Sequence, residues 1–157
     1  MNFSHRTISN SVREGEEKIT NHLYPIGRRG YLAGELDWDA NTIRLTLIDR
    51  DSYKISGGSV HEFYGVVTAL AARVKVSDIN ALGTKTTVSG IADAGNITLS
   101  AVSGNAVGAI IIWQDSGSVD TSRLIAYIDT GTGLPTSPNS GDLEIQFSNG
   151  ASAIFQL

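Results

Sequence analysis

Four aspartates near one another early in the chain are the first candidates for metal or acid–base chemistry. They lie in "ELDWDANTIRLTLIDRD", residues 35–51, as Asp37, Asp39, Asp49 and Asp51. A helix-loop-helix calcium site needs a glycine in its loop and a closing glutamate about twelve residues along, and this stretch provides neither. The alternating residues between the two pairs predict a strand that holds the pairs over ~20 Å apart. We therefore expect solvated turn residues on either side of a strand, and no metal site.

A second chemical candidate is Asp129-Thr130-Gly131, which follows the apolar stretch "RLIAYI" and copies the signature of aspartic proteases. Such an enzyme needs two aspartates that share a proton, so this chain would have to dimerise with the loop buried at the axis. The supporting apolar-apolar-glycine segment is not found in "LPTSPNSGDLEIQF". A glycine-rich loop stiffened by Pro135 and Pro138 is the preferred interpretation.

The other residue types that carry chemistry are few. The three histidines are His5, His22 and His61, and neither a Gly-x-Ser-x-Gly elbow nor a His-Glu-x-x-His helix accompanies them. No cysteine is present, which excludes disulfides, thiolate metal sites and a cysteine nucleophile. The glycine-rich stretches "SGNAVG" and "GTG" lack the following helix and the lysine of phosphate loops. The sequence predicts a protein that is not an enzyme and that has no catalytic residue, cofactor or metal.

Composition and charge exclude further classes of function. The 157 residues suffice for about one domain, and only 18% of them are charged. The net charge of −4 argues against a nucleic-acid partner, which would require many phosphate-neutralising cations. Residues 1–30 carry a net charge of +2, and residues 31–157 carry −6. We find no signal-peptide core and no run of about 18 apolar residues, so we expect synthesis in a cytosol and no membrane partner.

The positioning elements begin after a polar segment, residues 1–21, which we interpret as an N-terminal arm that is either frayed or ordered on a partner. Residues 22–157 are expected to form a single domain. In "LYPIGRRGYLAG", residues 23–34, a short helix is predicted to start near Pro25 and to end at Gly34. In "TIRLTLID" the alternation predicts a half-buried strand. Its inward residues would be Ile43, Leu45 and Leu47, and its outward residues Thr42, Arg44 and Thr46.

Short alternating stretches fill most of the remaining chain. Residues 52–70 are predicted to be a long connection with a helical turn near residues 61–64. "GAIIIWQD" indicates a central strand covered on both faces or lying at an oligomer contact. Asn149-Gly150 suits a two-residue turn and predicts that the last two strands form a hairpin. In all, the pattern predicts eight strands: those at residues 42–49 and at "ARVKVSD", "TKTTVSG", "NITLSAV", "AVGAIIIWQD", "SRLIAYID", "DLEIQFS" and "ASAIFQL".

The predicted fold is therefore mostly β, an antiparallel two-sheet sandwich that is jelly-roll-like, with one short N-terminal helix and an extended N-terminal arm. Two aspects of the sequence indicate where such a body could contact other molecules. Adjacent arginines can bind the carboxylates of a neighbouring surface. It is equally compatible with the sequence that both are simply exposed to solvent. Aromatic residues and the apolar strand suit either the core or an interface. The predicted interface with a partner or with another subunit comprises Arg28, Arg29, Tyr31, Trp38, Ile111 and Trp113.

Two stretches resemble a known family. "LYPIGRRGYLAGELDWDANTIRLTLID" and, near the far end, "DTSRLIAYIDTGTGLPTSPNSGDLEIQFSNGASAIFQL" are similar to small virion structural proteins of tailed bacteriophages, a group associated with capsid decoration or cement proteins. The resemblance covers about residues 23–157. It implies a non-enzymatic sandwich or jelly-roll module that self-associates and attaches to the outside of the capsid. The arm is not part of the resemblance.

The resemblance leads to an expected function, which is a capsid decoration or cement protein that bridges major capsid protein subunits on the outer shell. The expected partners are the major capsid protein and further copies of this chain, with a trimer favoured over a dimer because hexameric lattices offer many threefold positions. The expected location is the virion surface, after a period in the host cytoplasm. The alternative is a tail or fibre module that binds a host surface glycan. An exposed aromatic cluster would favour this alternative.

Overall fold

A computed structural model describes residues 21–55, 61–70, 72–74, 80–148 and 153–157. The predicted arm lies outside these residues except for Asn21. The described part is mostly β, with ten short strands and two short helices. The strands are β1 (His22–Leu23), β2 (Ile43–Ile48), β3 (Asn80–Ala81), β4 (Thr86–Val88), β5 (Ile91–Asp93), β6 (Ile97–Leu99), β7 (Ala109–Gln114), β8 (Leu124–Ile128), β9 (Leu143–Ile145) and β10 (Phe155–Gln156), and the helices are α1 (Pro25–Leu32) and α2 (Gly65–Ala69).

Five strands form the main sheet in the order β1-β8-β7-β2-β3, with every neighbouring pair antiparallel. All six residues of β7 are buried, which confirms the prediction of a central strand covered on both faces. The half-buried pattern predicted for β2 is wrong at Thr46, which is fully buried. A layer of protein covers each face of the main sheet, so side chains of both alternation sets of β2 and β7 are removed from water.

One face of the main sheet packs against the two smaller sheets, which have the strand orders β10-β5-β4 and β6-β9. Ile43, Leu45 and Ile112 of the main sheet share one apolar core with Ala92 of β5 and Leu99 of β6. This face-to-face packing is the antiparallel sandwich that the sequence predicts. The second layer is divided into two sheets, and jelly-roll connectivity stays a prediction.

The opposite face of the main sheet is covered by α1, α2 and the connection after β2. The core on this side is rich in aromatic side chains, including Tyr24, Tyr53, Tyr64 and Trp113. Within the described residues, no helix is long and apolar enough to cross a membrane.

Helix α1 confirms the prediction for residues 23–34. Pro25 occupies the first helical turn, and Gly34 follows the helix with a φ of 68°, a conformation that glycine adopts without steric cost. Gly27 faces β8 so closely that a Cβ atom there would lie 2.8 Å from the carbonyl oxygen of Leu124. The helix therefore approaches the sheet at a distance that only glycine permits.

We expect Gly27→Ala to lower the free energy of unfolding by about 1–3 kcal/mol, because the added methyl group would push α1 away from backbone atoms that have no free space to move. Gly83→Ala is the matched control, since nothing lies within 4 Å of its Cβ position. Denaturant unfolding of both variants checks the difference. Equal stabilities of the two variants would contradict the close packing of α1.

Two predictions about local structure need correction. The last two strands do not pair with each other: β9 pairs with β6, and β10 pairs with β5. The predicted turn at Asn149-Gly150 lies outside the described residues. The helical turn placed near residues 61–64 begins later, because α2 starts at Gly65 and Phe63 forms a bridge with Arg123. None of the predicted strands includes β1, β3 or β5, and most of the predicted strand at residues 72–78 lies outside the described residues.

Candidate functional site

Three of the six predicted interface residues lie inside the protein. Trp38 and Trp113 are 2% and 3% exposed, and Ile111 is fully buried. Ile111 and Trp113 belong to β7 and pack under the helices, while Trp38 packs on the other face and donates a hydrogen bond to the carbonyl oxygen of Asp93. Their assignment to an interface is wrong, because side chains that fill the core have no surface to offer a neighbouring molecule.

A buried group of three side chains explains both Trp113 and the unexpected position of Thr46. The Trp113 Nε1 donates a hydrogen bond to Thr46 Oγ1 at 3.0 Å, and the Tyr64 hydroxyl lies 3.1 Å from the same oxygen. The rings of Tyr64 and Trp113 stack with centroids 3.8 Å apart and an angle of 11°. Each polar atom thus has a partner, which removes most of the cost of burying it.

Ionisable side chains from distant parts of the chain meet beside this group. The hydroxyls of Tyr24 and Tyr53 are 2.9 Å apart, Tyr53 stacks on Tyr127, and His22 and His61 contact these tyrosine rings. Burial raises the pKa of Tyr24 and raises the pKa of Tyr53 to about 12, so both hydroxyls stay protonated. Burial also lowers the pKa of His61 and favours its neutral form. The three tyrosines and the two histidines form a packed cluster that supports the core.

Asp129, the aspartate of the protease-like signature, is completely buried at its side chain and lies 3.2 Å from a guanidinium nitrogen of Arg50. Its backbone N–H and that of Thr130 donate hydrogen bonds to Asn21 Oδ1. A carboxylate in this position faces a cation, whereas the protease mechanism needs a second carboxylate and access to substrate. Asp129 serves in this fold as the buried half of an ion pair.

The four aspartates of residues 35–51 lie in pairs at the two ends of β2, as predicted. Asp37 Oδ1 accepts hydrogen bonds from the backbone N–H groups of Asp39 and Ala40, which is turn chemistry. Asp49 departs from the expectation of a solvated residue, since it is only 7% exposed. Burial disfavours its charge, but donors that include Asn105 outweigh this effect and hold the pKa of Asp49 below its usual value. Among the described residues, no three metal-ligating side chains form a group that could hold an ion.

The remaining predicted interface residues lie on α1. Arg28 and Arg29 are exposed, and Leu32, one turn further on, is 90% exposed. We call these three residues the α1 outer face. Neither guanidinium makes an ion pair or hydrogen bond within the part of the chain that the structure describes. Tyr31 is half-buried and contacts Phe155, so it supports the helix more than it enlarges this face.

A cleft of about 750 Å³ opens between the main sheet and the second layer. Ile110, Ala126 and Ile128 line it from the main sheet, and β9, β10 and residues 131–134 line it from the other side. Asn21 and His22 lie at its rim. The alternation in "LEIQF" was a signal for this lining, because Leu143, Ile145 and Phe147 share one face of an extended strand. The sequence does not reveal that, among the described residues, β9 and β10 each pair with one strand only.

No protein-family model and no curated protein matches this chain.

Proposed function

We propose that this chain is a virion structural protein of a tailed bacteriophage that decorates the outer capsid surface and bridges major capsid protein subunits. The observation that carries the proposal is the α1 outer face, where Arg28, Arg29 and the 90% exposed Leu32 project from a helix seated tightly on the sheet. The resemblance proposed from the sequence motifs of residues 23–157 is a second argument for the same assignment.

The charge distribution favours an acidic partner for this face. Arg28 and Arg29 belong to a basic N-terminal region, whereas residues 31–157 carry a net charge of −6. Two adjacent guanidinium groups that have no partner among the described residues can each make two parallel hydrogen bonds to a carboxylate of another molecule. Leu32 adds an apolar contact that would lose water on binding. A capsid subunit with an acidic patch beside an apolar residue has the complementary chemistry.

A rigid body is what a bridging protein requires. The main sheet is covered on both faces, and the polar groups of its aromatic core are bonded to one another. A body of this kind would transmit load between two capsid subunits while its core stayed folded. Repetition of the same weak contact over a symmetric shell multiplies the stabilisation, and we retain the trimer as the favoured assembly unit.

The alternative, a tail or fibre module that binds a host glycan, would be favoured by exposed aromatic rings. Among the described residues, every tryptophan, tyrosine and phenylalanine is buried or half-buried. The α1 outer face is therefore the better candidate for a contact surface, and it suits a protein partner more than a sugar.

Reversing both charges, Arg28→Glu with Arg29→Glu, is expected to weaken binding to empty shells of the major capsid protein encoded in the same genome. We expect the Kd to rise at least about tenfold, because two attractive charge pairs become repulsive. Co-sedimentation with shells at physiological ionic strength measures the change. Lys54→Glu is the matched control, since it reverses an exposed cation that lies outside α1.

The shell-binding experiment has a clear contrary outcome. If the double variant binds shells as tightly as the parent does, α1 is not the contact surface. If the parent itself shows no affinity for shells, the proposal of a decoration protein fails. An affinity for shells that falls as the salt concentration rises would support an electrostatic contribution to binding.

A further inference from the structure

The second layer of the sandwich is interrupted in a specific way. Its strands follow the orders β6-β9 and β10-β5-β4, so β9 and β10 each have only one neighbouring strand in the described part of the chain. Each therefore has one edge whose backbone N–H and C=O groups are free to accept another strand.

The two free edges face the same space. Residues of β9 and β10 line the cleft, whereas their partners β6 and β5 do not. This lining indicates that the unpaired side of each strand faces the cleft. The floor below it consists of Ile110, Ala126 and Ile128 of the main sheet. An extended peptide placed there would find hydrogen-bonding edges on both sides and an apolar surface beneath.

We propose that residues 7–12 of this chain's own N-terminal segment insert into the cleft as a strand between β9 and β10. The inserted strand would join the two smaller sheets into one sheet of six strands. The inference is independent of the proposed function, because it rests on strand pairing alone and needs no capsid.

The position of the chain supports this occupant. Asn21 lies at the rim of the cleft. Its side-chain oxygen accepts hydrogen bonds from the backbone N–H groups of Asp129 and Thr130, and these bonds fix the position at which residues 1–20 join the described fold. The eight residues 13–20 can span over ~20 Å when extended, more than the ~10 Å between packed sheets. Because the segment is tethered at the rim, its effective concentration in the cleft is in the millimolar range.

In a strand, the segment would place two apolar side chains on one face, with Asn10 between them. In "RTISNSVR", residues 6–13, Ile8 and Val12 are four positions apart and would both point toward the apolar floor. Thr7, Ile8 and Val12 are β-branched, which favours strands. Arg6 and Arg13 flank the uncharged stretch, and the exposed Glu144 of β9 lies on the cleft wall as a partner for either of them.

Hydrogen–deuterium exchange on the full chain tests the insertion. We expect the outward amides of residues 143–147 and 154–157 to exchange at least about tenfold faster in the Ile8→Asp/Val12→Asp variant than in the parent, because two carboxylates cannot enter the apolar cleft. Amides between β4 and β5 should not change. Ile19→Asp is the matched control, since it alters the same segment outside the inserted stretch.

A second arm uses a synthetic peptide of residues 1–13. We expect the peptide to restore protection in the double variant and to leave the parent unchanged, because the parent's cleft is already occupied. Equal exchange rates in parent and double variant would overturn the proposal. A parent that is an oligomer, and that becomes a monomer in the double variant, would show that the segment inserts into a neighbouring copy and would overturn insertion into its own cleft.

Discussion

Replacing Trp113 with alanine is expected to lower the free energy of unfolding by about 4 kcal/mol. The indole is 3% exposed and stacks on Tyr64, so its removal opens a large cavity between the main sheet and the helices. The substitution also removes the donor to Thr46 and leaves a buried hydroxyl with one partner fewer. Guanidinium unfolding followed by circular dichroism measures the loss.

Two further variants locate the effect of Trp113 in the core. Trp113→Phe keeps a ring over Tyr64 but loses the hydrogen bond, so we expect a smaller loss of about 1–2 kcal/mol. Leu32→Ala removes an exposed side chain and should change stability by less than about 0.5 kcal/mol. If the Trp113→Ala protein unfolded like its parent but no longer self-associated, Trp113 would be an interface residue. That result would contradict its position in the core.

The second large effect is expected for Arg50→Met, which leaves the fully buried carboxylate of Asp129 without its cation. Removing one partner of a buried pair costs 3–5 kcal/mol, and partial access of water at Arg50, which is 35% exposed, reduces our expectation to about 2–3 kcal/mol. Methionine keeps the aliphatic stem that packs over Gly108, so the loss reports the charge. Denaturant unfolding at neutral pH measures it.

A double variant and a surface pair serve as controls for Arg50. Adding Asp129→Asn to Arg50→Met removes the orphaned charge and should recover at least about 1 kcal/mol. Arg123→Met breaks the more exposed pair with Glu35 and should cost less than about 1 kcal/mol. If Arg50→Met and Arg123→Met were equally stable, the Arg50–Asp129 pair would contribute no more to the free energy of unfolding than the Arg123–Glu35 pair does.

Local patterns in the sequence predicted the elements whose signals are local. Pro25 and Gly34 mark the ends of α1, and the alternating and apolar runs around Leu45 and Ile111 mark β2 and β7. These signals work because the period of the side chains and the backbone preference of proline and glycine act within a few residues. The large number of short alternating runs also predicted a fold made mostly of antiparallel strands.

Relationships between distant residues were not predictable in the same way. The hairpin expected from Asn149-Gly150 is not formed by β9 and β10, because each finds a better partner more than 40 residues away. The alternation in β2 predicts an outward Thr46, and only the approach of Tyr64 and Trp113 makes its burial favourable. For the same reason Trp38 and Trp113 were misassigned, since a sequence does not distinguish an aromatic core from an aromatic interface.

The way in which the chain enters the fold has a mechanical consequence. Strand β1 is attached to β8 by only two residue pairs, His22 with Tyr127 and Leu23 with Ala126, whereas α1 behind it is seated on the sheet at Gly27. Tension applied at Asn21 would therefore peel β1 from β8 before it reached α1. The protein would lengthen by a few residues under load while its core stayed folded.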